Sequence, residues 1–527
     1  MPSIIVAKIG PGEDFPTLAA WADALPSDLT IADEIRIAEL LDTAEDPGNV
    51  LISTTCDETR HVIVRASAGM SVADLSDPAT SPLRIESGQG AMIRAVTGDA
   101  IRLGSTATRA EVHGLQIEAQ AGAALTDNGG QFTAVSGCIC SGDTAGAVEA
   151  IRGNASIIQA SAIIQHGSGD GVELRSGARA DGLTIFKSER PVADGFGVFA
   201  TGSPDSTVIK TIAFGFGQAF GSGIGSASAL ASDQMNLLSA PDDLSAPAWT
   251  RVSASIDPGD TVVGPSGVLL QRVGNNLNGF SYFGAEPIAA LAPGDRLAFN
   301  IVVSDVTAVI SALLLDSTIG KPELRVDWST TPPSVTVLGA SSTLQATNGT
   351  LTNLGGGAYR MFLEAENTSG APIDVTPIFY VTRGVENVGL DVGMYAGAAM
   401  AGNGHLGAGF VLPGAVPGSN PVEGLAPTAA LVSAEGSLPD LRPIAGTELE
   451  LSGGTTVVSG RDIYGRPRRD PETIGAVALN ATPSTVPSPL AVPTMIEAAH
   501  ALDEREILAA YRARTVLPAS PARTINP

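Results

Sequence analysis

Apolar residues at Leu18, Trp21, Ala22 and Leu25 lie three or four apart, a spacing that predicts a short helix within FPTLAAWADAL. From residue 31 the pattern changes to short β-type runs, beginning EIRIAEL, HVIVRAS, LRIESG, AMIRAV, AIRLGS and AEVHGLQIEA. QFTAVSGCIC, ASIIQASAIIQH, GVELRSG, ADGLTIFK, GFGVFATG and STVIKTIAFGF continue the series to residue 216. Gly, Asn, Asp or Ser separates nearly every pair, and full coils recur roughly every 20 to 30 residues without a strict motif. Such loose self-similarity predicts a solenoid in which each rung buries its apolar side on the next. A hairpin sandwich is the alternative. It calls for two-residue Asn-Gly or Asp-Gly turns, and few turns here have that form. About eight to ten rungs at roughly 4.8 Å each make a rod about 40–50 Å long, whose ends must be covered against strand-edge pairing. The helix is placed as the cover of one end.

The pattern then breaks. Residues 215–228 (GFGQAFGSGIGSAS) are Gly-rich, a flexible exit from the rungs. Longer β runs follow in LAPGDRLAFNIVVS, ELRVDWST, NLGGGAYRMFLEAEN and GLDVGMYAGAAM, and a Gly/Pro-rich stretch occupies 403–440. Beyond Pro483, Pro487, Pro489 and Pro493, TMIEAAHALDEREILAAYRAR reads as a partly amphipathic helix, with Thr494 and Glu497 spaced as a capping box. It is either a docking helix or a loose tail.

Composition agrees with an all-β reading: 4% of residues are aromatic, against 61 Gly, 35 Pro and a 44% apolar share carried mainly by Ala, Val, Ile and Leu. The net charge of −25 repels phosphate backbones and anionic lipid, so neither nucleic acid nor a membrane is an expected partner. No basic start with an apolar core opens the chain, and no run approaches the roughly 18 apolar residues of a span. The expectation is a soluble protein made in a cytoplasm. Cys56, Cys138 and Cys140 offer neither a zinc set nor a disulfide framework; residues 138 and 140 share one strand face and belong in packing.

AKIGPGEDFPTLAAWADAL near the start and DLRPIAGTELELSGGTTVVSGRDIYGRPRRDPETIGAVAL near the end resemble the two ends of pectate-lyase-type parallel β-helix proteins. Gly446-Thr447 stands where that family has Gly-Ser, and Val477 where an aromatic often follows. Between them, MNLLSAPDDLSAPAWTRVSASIDPG, Ala358-Tyr359-Arg360 and Tyr395-Ala396-Gly397-Ala398 resemble a jelly-roll module of bacteriophage structural proteins, similar to carbohydrate-binding modules. The resemblances imply a right-handed parallel β-helix with an inserted β-sandwich and a short C-terminal helix. The expected divisions are 1–230 for cap and rungs, 236–402 for the insert, 403–480 for the return segment and closing rung, and 481–527 for linker and docking helix.

Because that fold hosts polysaccharide lyases and hydrolases, carboxylate pairs were sought first. Asp170 and Glu173, beside His166, sit where a rung turns, and Asp181 and Asp194 recur later, so one reading is a catalytic ladder. The other is that Asp satisfies turn amides. Sugar platforms want an aromatic ring beside polar groups. Tyr282 and Phe283, flanked by Asn275, Asn276 and Asn278, form the expected ligand loop, with core packing as the alternative for Phe283. Trp249 and Tyr359 are expected in the core. His61, His113, His166, His405 and His500 lack metal-ligand spacing, and no phosphate-binding loop occurs, so no metal or cofactor is expected. The resemblances imply a fibre or spike protein on the surface of a phage or gene transfer particle that attaches to host capsular or surface polysaccharide. Partners would include other virion proteins and further copies of the chain, as a trimer or a vertex pentamer. A tailspike-like depolymerase and a purely structural capsid decoration or spike base stand as alternatives.

Overall fold

The computed structural model describes residues 2–403 apart from short breaks, the longest at 384–391, and parts of 427–477. The first unit of the chain, Met1–Pro483, contains all of these residues. Asp194, Asn276, Asn278, His405, His500 and the expected C-terminal helix lie outside the described residues.

Residues 3–232 form a parallel β-helix of three sheets, of nine, seven and eight strands, in which each strand pairs with its counterparts one coil before and after. In the nine-stranded sheet one inward ladder runs Ala7, Ala38, Val64, Val112, Val135, Ile158, Ala180, Val208, Ala227. Each of these is buried. The seven-stranded sheet stacks Val50, Ile101, Leu125, Val148, Val172, Val198 and Phe220 in the same way. Small and β-branched side chains at matched positions let identical rungs repeat without cavities, which is why so few aromatics are needed. Cys140 occupies one step of the third stack, between Ile117 and Ile163. Burial pushes the Cys138 thiol up to about 11 and that of Cys140 well above its usual value.

The bottom of the coil is closed as expected. Thr17 caps the helix Leu18–Asp23 through its hydroxyl, which accepts from the Ala20 amide, and Leu18, Trp21 and Ala22 enter the solenoid core.

Residues 250–403 fold as a β-sandwich of two antiparallel sheets. Leu297, Phe299, Ile301 and Val303 of strand Arg296–Ser304 face the sandwich core with Trp249, Phe283, Met361 and Phe379, while Tyr359 packs partly buried at its margin. The alternate residue Ala298, with Phe362, instead joins the apolar cluster of the solenoid. One outer face of the sandwich is thereby applied to the rod.

Most of the expected closing rung, including 445–448, 450–461 and 467–473, lies outside the described residues. Among the described residues, Leu431–Ser433 and Asp440–Pro443 pair with each other, antiparallel. Together with Leu449, Ile463, Tyr464, Ile474, Ala476 and Val477 this segment lies against Ile139, Ile164, Phe186, Ile212 and Phe214, on the outside of the eight-stranded sheet. Asp440 Oδ1 accepts from the Leu83 amide (2.9 Å), and Thr184 Oγ1 from the Ala476 amide (2.9 Å). It is a lateral strap. The strands beneath it, such as Ala162–Gln165, are buried on both faces, so their apolar residues, Ala162, Ile163 and Ile164, run consecutively instead of alternating.

Candidate functional site

The sandwich sheet facing away from its own core carries the densest group of aromatic and charged side chains among the described residues. Its strand order places Thr250–Val252 beside Phe280–Gly284, then Ile373–Arg383, Ile310–Asp316, Glu323–Asp327 and Ser334–Leu338. Across the sheet Tyr282 registers with Tyr380, Tyr380 with Ala312, and Ala312 with Arg325. Successive side chains on a strand alternate between faces, so this row and the neighbouring Ile378, Leu314 and Glu323 share the outer surface.

Rings gather at one end of it. Phe280, 49% exposed, lies parallel to Tyr282 with centroids 6.3 Å apart and planes 17° from coincidence. Tyr282 meets Tyr380 at 5.1 Å and 52°. Ala312, Leu314, Ile378 and Tyr380 form an apolar floor against which Tyr282 packs. Among the described residues neither tyrosine hydroxyl has a hydrogen-bond partner in the protein.

Charge lines the same floor. The Arg383 guanidinium sits 4.6 Å from the Tyr380 ring centroid. Its Nε and Nη2 each lie 3.2 Å from a Glu323 oxygen, and Arg325 donates to the same carboxylate through Nε. Burial on its own would raise the Glu323 carboxyl, but the hydrogen bonds from Arg325 and Arg383 outweigh it and hold the group below its ordinary range. Burial raises the Tyr380 phenol. Lys321 pairs with Asp316 at 2.9 Å nearby.

Of the expected ligand loop, Asn276 and Asn278 lie outside the described residues. Tyr282 stands on an open strand face, not in a loop. Phe283, the next residue, points the opposite way and is fully buried in the sandwich core, so its ring is unavailable to a ligand. Phe280, Tyr380 and Arg383 were missed by sequence reading. The alternation Phe280-x-Tyr282 within FSYFG was the available signal; Tyr380 arrives from a strand about a hundred positions away, by pairing.

The carboxylate ladder on the rod is not assembled. Asp170 and Glu173 belong to the seven-stranded sheet, whereas Asp181 belongs to the nine-stranded one. Asp170 Oδ1 accepts from the Phe196 amide (2.6 Å), and Glu173 Oε1 accepts from Arg175 Nε (3.1 Å) and Thr201 Oγ1 (2.9 Å). His166 Nδ1 lies 2.6 Å from Ser188 Oγ.

Stacking does bring together two histidines that look scattered in the sequence. Glu111 lies 2.9 Å from His113 Nε2 through one oxygen and 2.9 Å from His61 Nε2 through the other, the latter contact poorly aligned for a hydrogen bond. His113 Nδ1 reaches Ser136 Oγ at 2.8 Å. The order Ser-His-Glu suggests a nucleophile relay. However, every member is buried, and the Gly114 and Gly137 amides beside it donate to the carbonyls of Ser136 and Gln159, leaving neither free to hold an oxyanion. We read the cluster as structural. Among the described residues no group of three or more His, Cys, Asp or Glu is arranged to hold a metal ion, and no helix is long and apolar enough to cross a membrane.

A scan against protein-family models finds no match, and neither does a search of curated proteins. Among solved structures, the chain is similar to the enzymatically active domain of tailspike protein 4 from bacteriophage CBA120, at 10% identity and a TM-score of 0.26, over 69% of this chain. The match spans 64% of that domain's own length. It is also similar to the arabinose-bound α-L-arabinofuranosidase MgGH51, at 14% identity and a TM-score of 0.15, over 29% of this chain and 27% of that one.

Proposed function

We propose that the chain is a fibre or spike component on the surface of a phage or phage-like particle, and that it attaches the particle to host surface polysaccharide. In this reading residues 236–402 are a jelly-roll-type carbohydrate module inserted into the β-helix, and the rod is its rigid mount. The observation that carries it is the exposed Phe280 ring and the partly buried Tyr282 ring, laid on the buried Tyr380 beside Arg383. Aromatic faces stack on the C–H faces of sugars, and the two unpartnered hydroxyls supply directional hydrogen bonds. Each such site is weak, but several copies on one particle gain avidity, which fits a homo-oligomer seated on other virion proteins.

Retention of the purified protein on immobilised host polysaccharide tests the reading, with the length of the eluted glycan followed in parallel. Tyr282→Ala and Phe280→Ala should each lower retention several-fold, with the melting temperature nearly unchanged. Retention that survives both substitutions would remove the sheet face as the attachment site. Glycan shortening abolished by Asp170→Asn or Glu173→Gln would favour a depolymerase instead.

A further inference from the structure

Three cations, Arg325, Arg383 and Lys321, stand on this side of the sheet with three carboxylates, Glu323, Asp316 and Asp327, the last engaged by Ser329. Both guanidiniums spend donors on the single carboxylate of Glu323, which is almost wholly buried. A guanidinium has five N–H donors in a fixed fork, so much of each fork is unspent. Neither Nη1 donates to anything among the described residues. The Arg325 side chain is 44% exposed and that of Arg383 32%, so both open to solvent, Arg383 beside the ring of Tyr380 and Arg325 two strands across.

Two partly exposed guanidiniums with unspent donors stand out on a chain with a net charge of −25. Elsewhere on the surface such a balance discourages polyanions. A neutral sugar would need the rings and hydroxyls only. It would have no use for two guanidiniums held on one carboxylate with donors unspent. Guanidinium forks match carboxylates in geometry, and such charge-assisted bonds are shorter and stronger than neutral ones.

We propose that this face takes an acidic saccharide, a sugar bearing a carboxylate, whose ring stacks on Phe280 and Tyr282 while its carboxylate accepts from the free N–H groups of Arg383 and Arg325. Glu323 acts here as a positioning residue. It holds the two forks side by side without cancelling them. The proposal rests on the attachment reading above and names the chemistry of its ligand.

The test is retention of the full chain on acidic polysaccharides (alginate, polygalacturonate, hyaluronan) against neutral ones (dextran, galactomannan). Because the protein as a whole is strongly acidic, retention on a polyanion is not explained by simple ion exchange. The expected result is retention on at least one acidic gel roughly tenfold or more above the neutral gels, the size of one charge-assisted hydrogen bond. Added salt should weaken it. Arg383→Gln should bring the acidic preference close to unity. Arg325→Gln, at a more exposed position with Arg383 still paired to Glu323, should lower it severalfold and guards against loss of fold. Tyr282→Ala should reduce binding to any gel that retains the protein. Equal retention on neutral and acidic gels, or a preference unchanged in both arginine variants, overturns the acidic-sugar proposal and leaves attachment standing. Retention on neither class overturns both.

Discussion

Glu111 shows how a single residue links pH to the stability of the rod. It is 1% exposed, and burial alone would raise its pKa. The hydrogen bond with His113 and the closeness of the His61 ring outweigh that and hold it at about 2, against an ordinary 4.5. A folded-state pKa below the unfolded one stabilises the protein above the unfolded value, and the gain is lost as pH falls through the folded one. The window is therefore pH 4.5 down to about 2. At roughly 1.4 kcal/mol per unit, the ionised carboxylate contributes on the order of 3 kcal/mol at neutral pH. Glu111→Gln should unfold at lower denaturant than wild type at pH 7. The difference between them should close across that window, followed by intrinsic fluorescence. A difference independent of pH would show that the carboxylate's charge plays no part in folding.

At the scale of elements, the sequence disclosed the repeating rungs and the helix at the bottom, but not how far apart paired rungs lie. Val64 sits beside Val112, whereas Val112 sits beside Val135 and Val135 beside Ile158. Coil length varies because turns absorb insertions, so no fixed offset announces that Glu111 will meet His61. The same limit hid Tyr380 from Tyr282, while the inward turn of Phe283 followed from strand alternation once the strand Phe280–Gly284 was known. The closing motif was legible as a motif, and its described residues lie against the outside of the eight-stranded sheet. Its apolar residues match the outside of a sheet as well as they match a rung, and pairing alone distinguishes the two. Asp440 is the hinge of that strap, serving the Leu83 amide and the Arg442 guanidinium together. Asp440→Ala leaves a buried amide without its acceptor, a loss of about 1–3 kcal/mol. Thermolysin should then cut before Leu431 or Leu441 many-fold faster while the rungs stay resistant. Cleavage as slow as in wild type would mean that the apolar contacts of Leu431 and Leu441 hold the strap unaided.

At the scale of the molecule, the sandwich and the rod share apolar surface. The three sheets end in Ile224–Ser228, Gln218–Phe220 and Ala231–Ser232, strands that have a neighbour on one side only. An uncovered coil end of this kind is a template for further strands. At the other end the helix Leu18–Asp23 supplies its cover. Ala298 and Phe362 enter the solenoid's apolar cluster from the sandwich, so the module that carries the candidate site also shields apolar surface of the rod. The strap's anchors at Leu83 and Thr184 are made without it. Replacing residues 236–402 with a short Gly/Ser bridge should therefore leave rungs and strap folded, with the β-type circular dichroism and a cooperative transition retained. The shortened chain should nevertheless self-associate, as light scattering would report, because the last coil and the partners of Phe362 are bare. Adding Phe362→Asp to the intact chain should reproduce that association in milder form by loosening the contact. A monomeric, soluble deletion variant would show that the sandwich is carried by the rod and protects nothing. Loss of the cooperative transition would show that the rungs depend on the module for folding itself.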